Sequence, residues 1–204
     1  MLRVRLYRVF RTIGRVLFPL VLDVRVLGAR NVPRTGPVLL VSNHESYTDP
    51  VVLGTVCPRP IVFLAKSELF EQSRLLERLI RTLGCVSIRR DGYAVSAVRR
   101  AEEVLERGEV LGLFPEGGIT TPGDLKPGAA LIAARTGVPV VPVHLSGTCG
   151  MYDPEAYLLR ARPIRVEFGR PFHPHAVGDR SKPKEHRERV LDVIRSHITR
   201  DMRT

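Results

Sequence analysis

Along the chain, apolar and polar positions change period repeatedly. GPVLLVSN (36–43) is a nearly continuous apolar run that ends in polar residues, which predicts a strand covered on both faces. The same reading predicts strands at 21–29, 59–66, 85–90, 138–145 and 163–172, and one at 109–118 whose end runs into a glycine-rich turn. Helical periodicity occupies 67–84, 94–108, 130–137 and 182–202, and a shorter helix starts within 50–57. Gly84 and Gly108 stand where two of these helices must stop. Residues 173–181 (HPHAVGDRS) read as a loop. Strands alternating with helices predict an α/β fold: a single domain with a largely parallel sheet flanked by helices.

The first eighteen residues have their own pattern. Leu2, Leu6, Val9, Phe10, Ile13, Val16 and Leu17 fall on one side of a helix, and Arg8, Arg11 and Arg15 on the other. Such a helix lies in a membrane interface or packs on the domain's own core. Pro19 ends or kinks it. No apolar run approaches the roughly 18 residues of a membrane-crossing helix, and the arginines interrupt any signal-peptide core. The expected organisation is a membrane-interface helix over 1–19 and one domain over 20–204.

Charge sharpens this picture. The net charge of +11 is unevenly spread: residues 1–34 carry +7, residues 160–204 carry +6, and the segment between them carries −2. Basic ends suit an anionic lipid surface or a nucleic acid. The second is disfavoured by the absence of Trp and an aromatic content of 6%. The three cysteines, Cys57, Cys85 and Cys149, are far apart and match neither a disulfide framework nor a metal site. Cys85 reads as buried. His173 and His175 lack partners at metal-ligand spacing, and His144 reads as a strand-end packing residue.

Candidate chemistry sits where strands end, the usual place for sites in such sheets. In VSNHESYTDPVV (41–52), His44 and Asp49 are five residues apart. On one helix they would point about 140° apart. They meet if His44 lies in a loop and Asp49 begins a helix, and Asp-Pro reads as an N-cap followed by Pro at the first helical position. A histidine oriented by a carboxylate is a general base. With no G-x-S-x-G elbow and no cysteine beside a histidine in sequence, it would deprotonate a substrate hydroxyl directly. Arg90 would meet an anion such as a phosphate. The turn after Glu116 would bring backbone N–H groups to the same anion.

These segments resemble the glycerolipid acyltransferases related to 1-acylglycerol-3-phosphate acyltransferase. NHESYTD resembles that family's Asn-His-x-x-x-x-Asp signature, GCVSIRR (84–90) its second block, FPEGG (114–118) its third, and VPVVPVHLSG (138–147) its fourth, in the family's order. The likeness runs over roughly residues 20–172. It implies His44 as general base and Asp49 as its orienting partner. Asn43, Arg90, Glu116, Gly117 and Lys126 are then the substrate-binding set. The acyl donor is acyl-CoA or an acyl carrier protein thioester, with no bound cofactor and no metal. The acceptor is a lysophospholipid, most simply 1-acylglycerol-3-phosphate. The enzyme would be a peripheral membrane protein on the cytoplasmic face.

The chain departs from the family pattern in two places. Gly118-Ile119-Thr120 stands where many members have Thr-Arg-Ser, so an arginine expected near the acceptor is missing and Lys126 is the nearest substitute. Ser87 stands where an aromatic or apolar residue is common. Another lysophospholipid or hydroxyl acceptor, transacylation between phospholipids, and a non-catalytic lipid-binding role stay open.

Overall fold

The computed structural model describes residues 12, 14, 23–67, 71, 74–82, 84–88, 93–118, 124–149, 152–153, 158–159 and 163–199. A seven-stranded sheet forms the centre, in the order β1-β9-β6-β2-β5-β3-β4. The strands are β1 (Val24–Leu27), β2 (Val38–Ser42), β3 (Ile61–Lys66), β4 (Val86–Ile88), β5 (Val110–Leu113), β6 (Val140–Ser146) and β9 (Ile164–Phe168). Five helices accompany it among the described residues: α1 (Asp49–Val56), α2 (Arg74–Thr82), α3 (Tyr93–Glu106), α4 (Gly128–Thr136) and α5 (Pro183–Ile198). The α/β expectation with a mostly parallel sheet holds.

The apolar run of β2 shows why. Val38 and Leu40 join one core with Val52 and Leu53 of α1, Phe63, Cys85 and Phe168. Leu39 and Val41 join the other, with Ala101, Val104 and Leu105 of α3, Ala130 of α4, and Val190 and Ile194 of α5. Successive residues of a strand face opposite sides, so a strand covered twice must be apolar throughout. All five residues of β2 are buried.

The sheet departs from parallel at one seam. β9 runs antiparallel to β6, and β1 then runs parallel to β9. A parallel neighbour needs a crossover, usually a helix. Between β6 and β9 the chain instead forms two short antiparallel strands, β7 (Tyr152–Asp153) and β8 (Leu158–Leu159), which the sequence pattern did not announce. The loop expected at 173–181 contains one 3-10 turn, Pro174–Ala176.

The amphipathic pattern of residues 1–18 falls almost wholly outside the described residues. Thr12 and Gly14 are both helical, and Gly14 is buried. A Cβ built on Gly14 would stand 2.8 Å from Thr55 Cγ2. The small residue thus lets the chain approach α1 closely.

Candidate active site

Two strand ends make the site. β2 pairs with β5 in register, Val41 opposite Leu113. Three residues beyond each, His44 and Glu116 remain opposite one another, and the His44 backbone N–H donates to Glu116 Oε2 at 2.7 Å. Glu116 is buried, so this carboxylate fixes the backbone of the histidine while staying out of bulk water.

His44 Nδ1 meets Asp49 Oδ2 at 2.7 Å. Asp49 is 0% exposed, and the His44 side chain 14%. The same Oδ2 accepts from the N–H groups of Glu45 (2.7 Å) and Ser46 (2.8 Å). Asp49 Oδ1 is buried without a hydrogen-bond partner. The expected N-cap role is therefore corrected. Asp49 is the first residue of α1, Thr48 occupies the cap position, and no side chain caps the helix. The carboxylate faces back towards 44–46, because two N–H groups and an imidazole outcompete the helix's own amides for it. An ionised acceptor at Nδ1 keeps the proton there and leaves the Nε2 lone pair for a substrate.

The imidazole is also held from the side. Its ring stacks on Phe114 with centroids 4.2 Å apart, and Phe114 stacks on Phe63 at 5.7 Å. Phe63 lies across β5 at Gly112, where a Cβ would come within 2.5 Å of its Cε1. Sequence reasoning did not single out Phe63 or Gly112, and named Phe114 only as part of FPEGG, without a role of its own. An isolated glycine inside a strand is nonetheless a sign of close approach.

Asn43 works behind the histidine. Its Nδ2 donates to the Leu145 carbonyl at 2.7 Å, and the Leu145 N–H donates to its Oδ1 at 2.8 Å. β6 extends beyond the end of β2, and there the carboxamide pairs with both backbone groups of Leu145. Asn43 Nδ2 also reaches Glu45 Oε1 at 3.3 Å. The Glu45 carboxyl is raised above its ordinary range, chiefly by burial and then by the charges of Asp49 and Glu116, against the opposing effects of His144 and Asn43.

Gly117 turns the chain with φ +70°, a conformation that favours glycine. Lys126 folds over it: a Cβ on Gly117 would stand 3.0 Å from Lys126 Nζ. The Lys126 N–H donates to the Pro115 carbonyl at 2.8 Å, which ties this basic residue to the Phe114-Pro115-Glu116 turn. His44, Asp49, Glu116, Gly117 and Lys126 thus gather at the C-terminal ends of β2 and β5, with Asn43 directly behind. Arg90 lies outside the described residues.

Among the described residues, no group of three His, Cys, Asp or Glu side chains is arranged to hold a metal ion. No helix there is long and apolar enough to cross a membrane.

Comparison with known proteins follows the same lines. The chain is 29% identical over 188 residues to the probable 1-acyl-sn-glycerol-3-phosphate acyltransferase of Mycoplasma pneumoniae, covering 84% of this chain and 70% of that protein. It is 26% identical over 161 residues to the 1-acyl-sn-glycerol-3-phosphate acyltransferase of Bacillus subtilis, 78% of each. The crystal structure of the 1-acyl-sn-glycerophosphate acyltransferase PlsC from Thermotoga maritima matches with a TM-score of 0.72 and 26% identity, covering 95% of this chain and 80% of that one. An acyltransferase family model matches residues 23–146, a span that contains His44, Asp49, Glu116 and Lys126. The chain belongs to the acyltransferase family.

Proposed function

We propose that this enzyme transfers a fatty acyl group from a thioester, acyl-CoA or an acyl carrier protein, to the hydroxyl of 1-acylglycerol-3-phosphate. The observation that carries the reading is the 2.7 Å contact between His44 Nδ1 and the fully buried Asp49 carboxylate. His44 Nε2 takes the proton of the acceptor hydroxyl as its oxygen attacks the thioester carbonyl carbon. The tetrahedral intermediate collapses, the C–S bond breaks, and the imidazolium returns the proton to the departing thiolate. Asp49 stabilises the imidazolium between these steps.

The acceptor's phosphate is the natural partner of Arg90 and Lys126, with the Gly117 turn beside them. The relatives from Mycoplasma pneumoniae and Bacillus subtilis are named for this acceptor, which supports the substrate class. Glu116 and Asn43 contribute by holding the backbone at His44 rather than by contact with the acyl group. The substrate lives in a bilayer, and the basic amphipathic segment 1–18 suits a cytoplasmic lipid surface.

The test is lipid mass spectrometry with purified protein, a panel of lyso-acceptors, and both donor types. Transfer to 1-acylglycerol-3-phosphate above the other lysophospholipids is the expected result. Preference for an acceptor without a phosphate monoester would move the assignment to another lysophospholipid. Absence of transfer from either donor would leave a lipid-binding role.

A further inference from the structure

At the end of the sheet opposite the catalytic pair, α4 and the start of α5 enclose a cleft of about 210 Å³. α4 leads into the N-terminal end of β6, while His44 and Glu116 follow the C-terminal ends of β2 and β5, so the two places are separated by the length of the strands. Leu131 and Ala134 line the cleft together with three arginines, Arg135, Arg180 and Arg187. Arg135 is held by Glu102, Nε to Oε1 at 2.7 Å. Arg180 and Arg187 make no ion pair among the described residues. Part of the positive charge carried by residues 160–204 therefore lies here.

His186 completes the lining and is 4% exposed. Its Nδ1 lies 2.6 Å from the Val177 carbonyl, which only accepts, so Nδ1 carries the proton. Nε2 is buried without a hydrogen-bond partner. The sixteen-residue helix α5 starts beside it at Pro183 with no side chain capping its N-terminus. Three arginines, an uncapped helix start and a buried imidazole nitrogen without a partner favour the same kind of ligand: a compact, multiply charged oxyanion.

We propose that this cleft is a second anion site, distinct from the acyl-transfer site, that takes a phosphate group and gains a proton on His186 as it does so. A neutral His186 keeps a lone pair on Nε2, the atom left without a partner at the edge of the cleft. Protonation converts that lone pair into an N–H donor. The charged groups around His186 are Arg180, Arg187 and Arg189, Arg135 with its partner Glu102, the Lys182–Glu185 ion pair at the helix start, and Asp179, whose carboxylate is engaged by the N–H and hydroxyl of Ser181 at 2.9 and 2.7 Å. A bound anion adds negative charge beside the imidazole and so favours its protonated form. The phosphate could come from a soluble phosphate compound or from a lipid headgroup, and the cleft chemistry is the same for both.

The full chain would be titrated with inorganic phosphate and with sulfate, followed by calorimetry and by the imidazole signals of His186. Sulfate keeps one charge state across the range and isolates the protein's own titration. Saturable binding of both anions is expected, with sulfate bound severalfold more tightly at about pH 6 than at about pH 8. Arg180→Gln and Arg187→Gln are both solvent-accessible changes and should each weaken binding about tenfold. Acyl transfer without added anion should be unchanged in both. His186→Asn keeps a donor for Val177 and removes Nε2, so it should flatten the pH dependence. Retention on vesicles containing phosphatidic acid separates the sources: loss of retention in the arginine variants assigns a headgroup, and unchanged retention assigns a soluble phosphate. Absence of saturable anion binding, wild-type affinity in both arginine variants, or equal sulfate affinity at the two pH values would overturn the proposal.

Discussion

Each end of the sheet holds a histidine whose Nδ1 is satisfied by an oxygen, and the oxygens differ. At the catalytic end, His44 meets the buried carboxylate of Asp49. At the far end, His186 meets the backbone carbonyl of Val177. Both partners set the tautomer. Only the carboxylate carries a charge that stabilises an imidazolium, which supports the proposed role of His44 as general base. For His186, the proposed anion would supply that charge. A histidine's partner, more than its burial, separates a general base from a packed residue.

The largest effect expected is from removing the base. His44→Ala should lower acyl transfer by about 10²–10⁴-fold with the fold intact. Steady-state kinetics beside a thermal unfolding curve checks it, and near-normal turnover would break the contrast between the two histidines. Asp49→Asn should follow at about a hundredfold or more, because the amide keeps an acceptor for the Glu45 and Ser46 N–H groups but no charge for the imidazolium. Its stability cost should be about 1–3 kcal/mol, for a buried amide group left without partners. A loss confined to stability would make Asp49 a structural residue.

Smaller effects separate holding the histidine from holding the acceptor. Glu116→Ala removes the acceptor of the His44 N–H and should lower kcat by about ten- to a hundredfold. Lys126→Ala should instead raise the acceptor KM by about tenfold with kcat preserved. Varying acceptor and donor in turn distinguishes them, and a Glu116→Ala effect limited to acceptor KM would place this carboxylate on the substrate. Gly112→Ala should cost about 1–3 kcal/mol and reduce kcat about tenfold, because the new methyl meets Phe63 and the displacement passes through Phe114 to the imidazole. Adding Phe63→Leu vacates that space and should restore part of the rate.

The smallest effect concerns Glu45. Its folded carboxyl is raised above the unfolded value. The native state therefore holds this proton more tightly, and stability falls as pH rises through the window from the unfolded to the folded value. Glu45→Gln should raise Tm at neutral pH, and the gain should fade as pH drops below the unfolded carboxylate range. A gain independent of pH would show that burial of the charge is not its cause.

Much of this was legible in the sequence, and the reasons are local. The unbroken apolar run of β2 announces a strand covered on both faces, since each residue must face one core or the other. Gly84, Gly108 and the Asn-His-x-x-x-x-Asp spacing mark helix ends and a site loop through backbone requirements that neighbouring residues alone impose. What the sequence left undecided depends on partners distant in the chain. The antiparallel seam at β9 is one such case, because the apolar pattern of a strand does not state its direction. The Asp49 carboxylate faces the imidazole as the spacing suggested, but its use of the Glu45 and Ser46 N–H groups in place of its own helix's amides was not foreseen. Asn43 bonds to Leu145, Glu116 to His44, and Gly112 makes room for Phe63, across separations of 102, 72 and 49 residues. The sequence by itself determined which groups were present and which segments carried them. Only the tertiary structure decided which group faces which, because register between strands far apart in the chain is set by packing on both faces of the sheet at once.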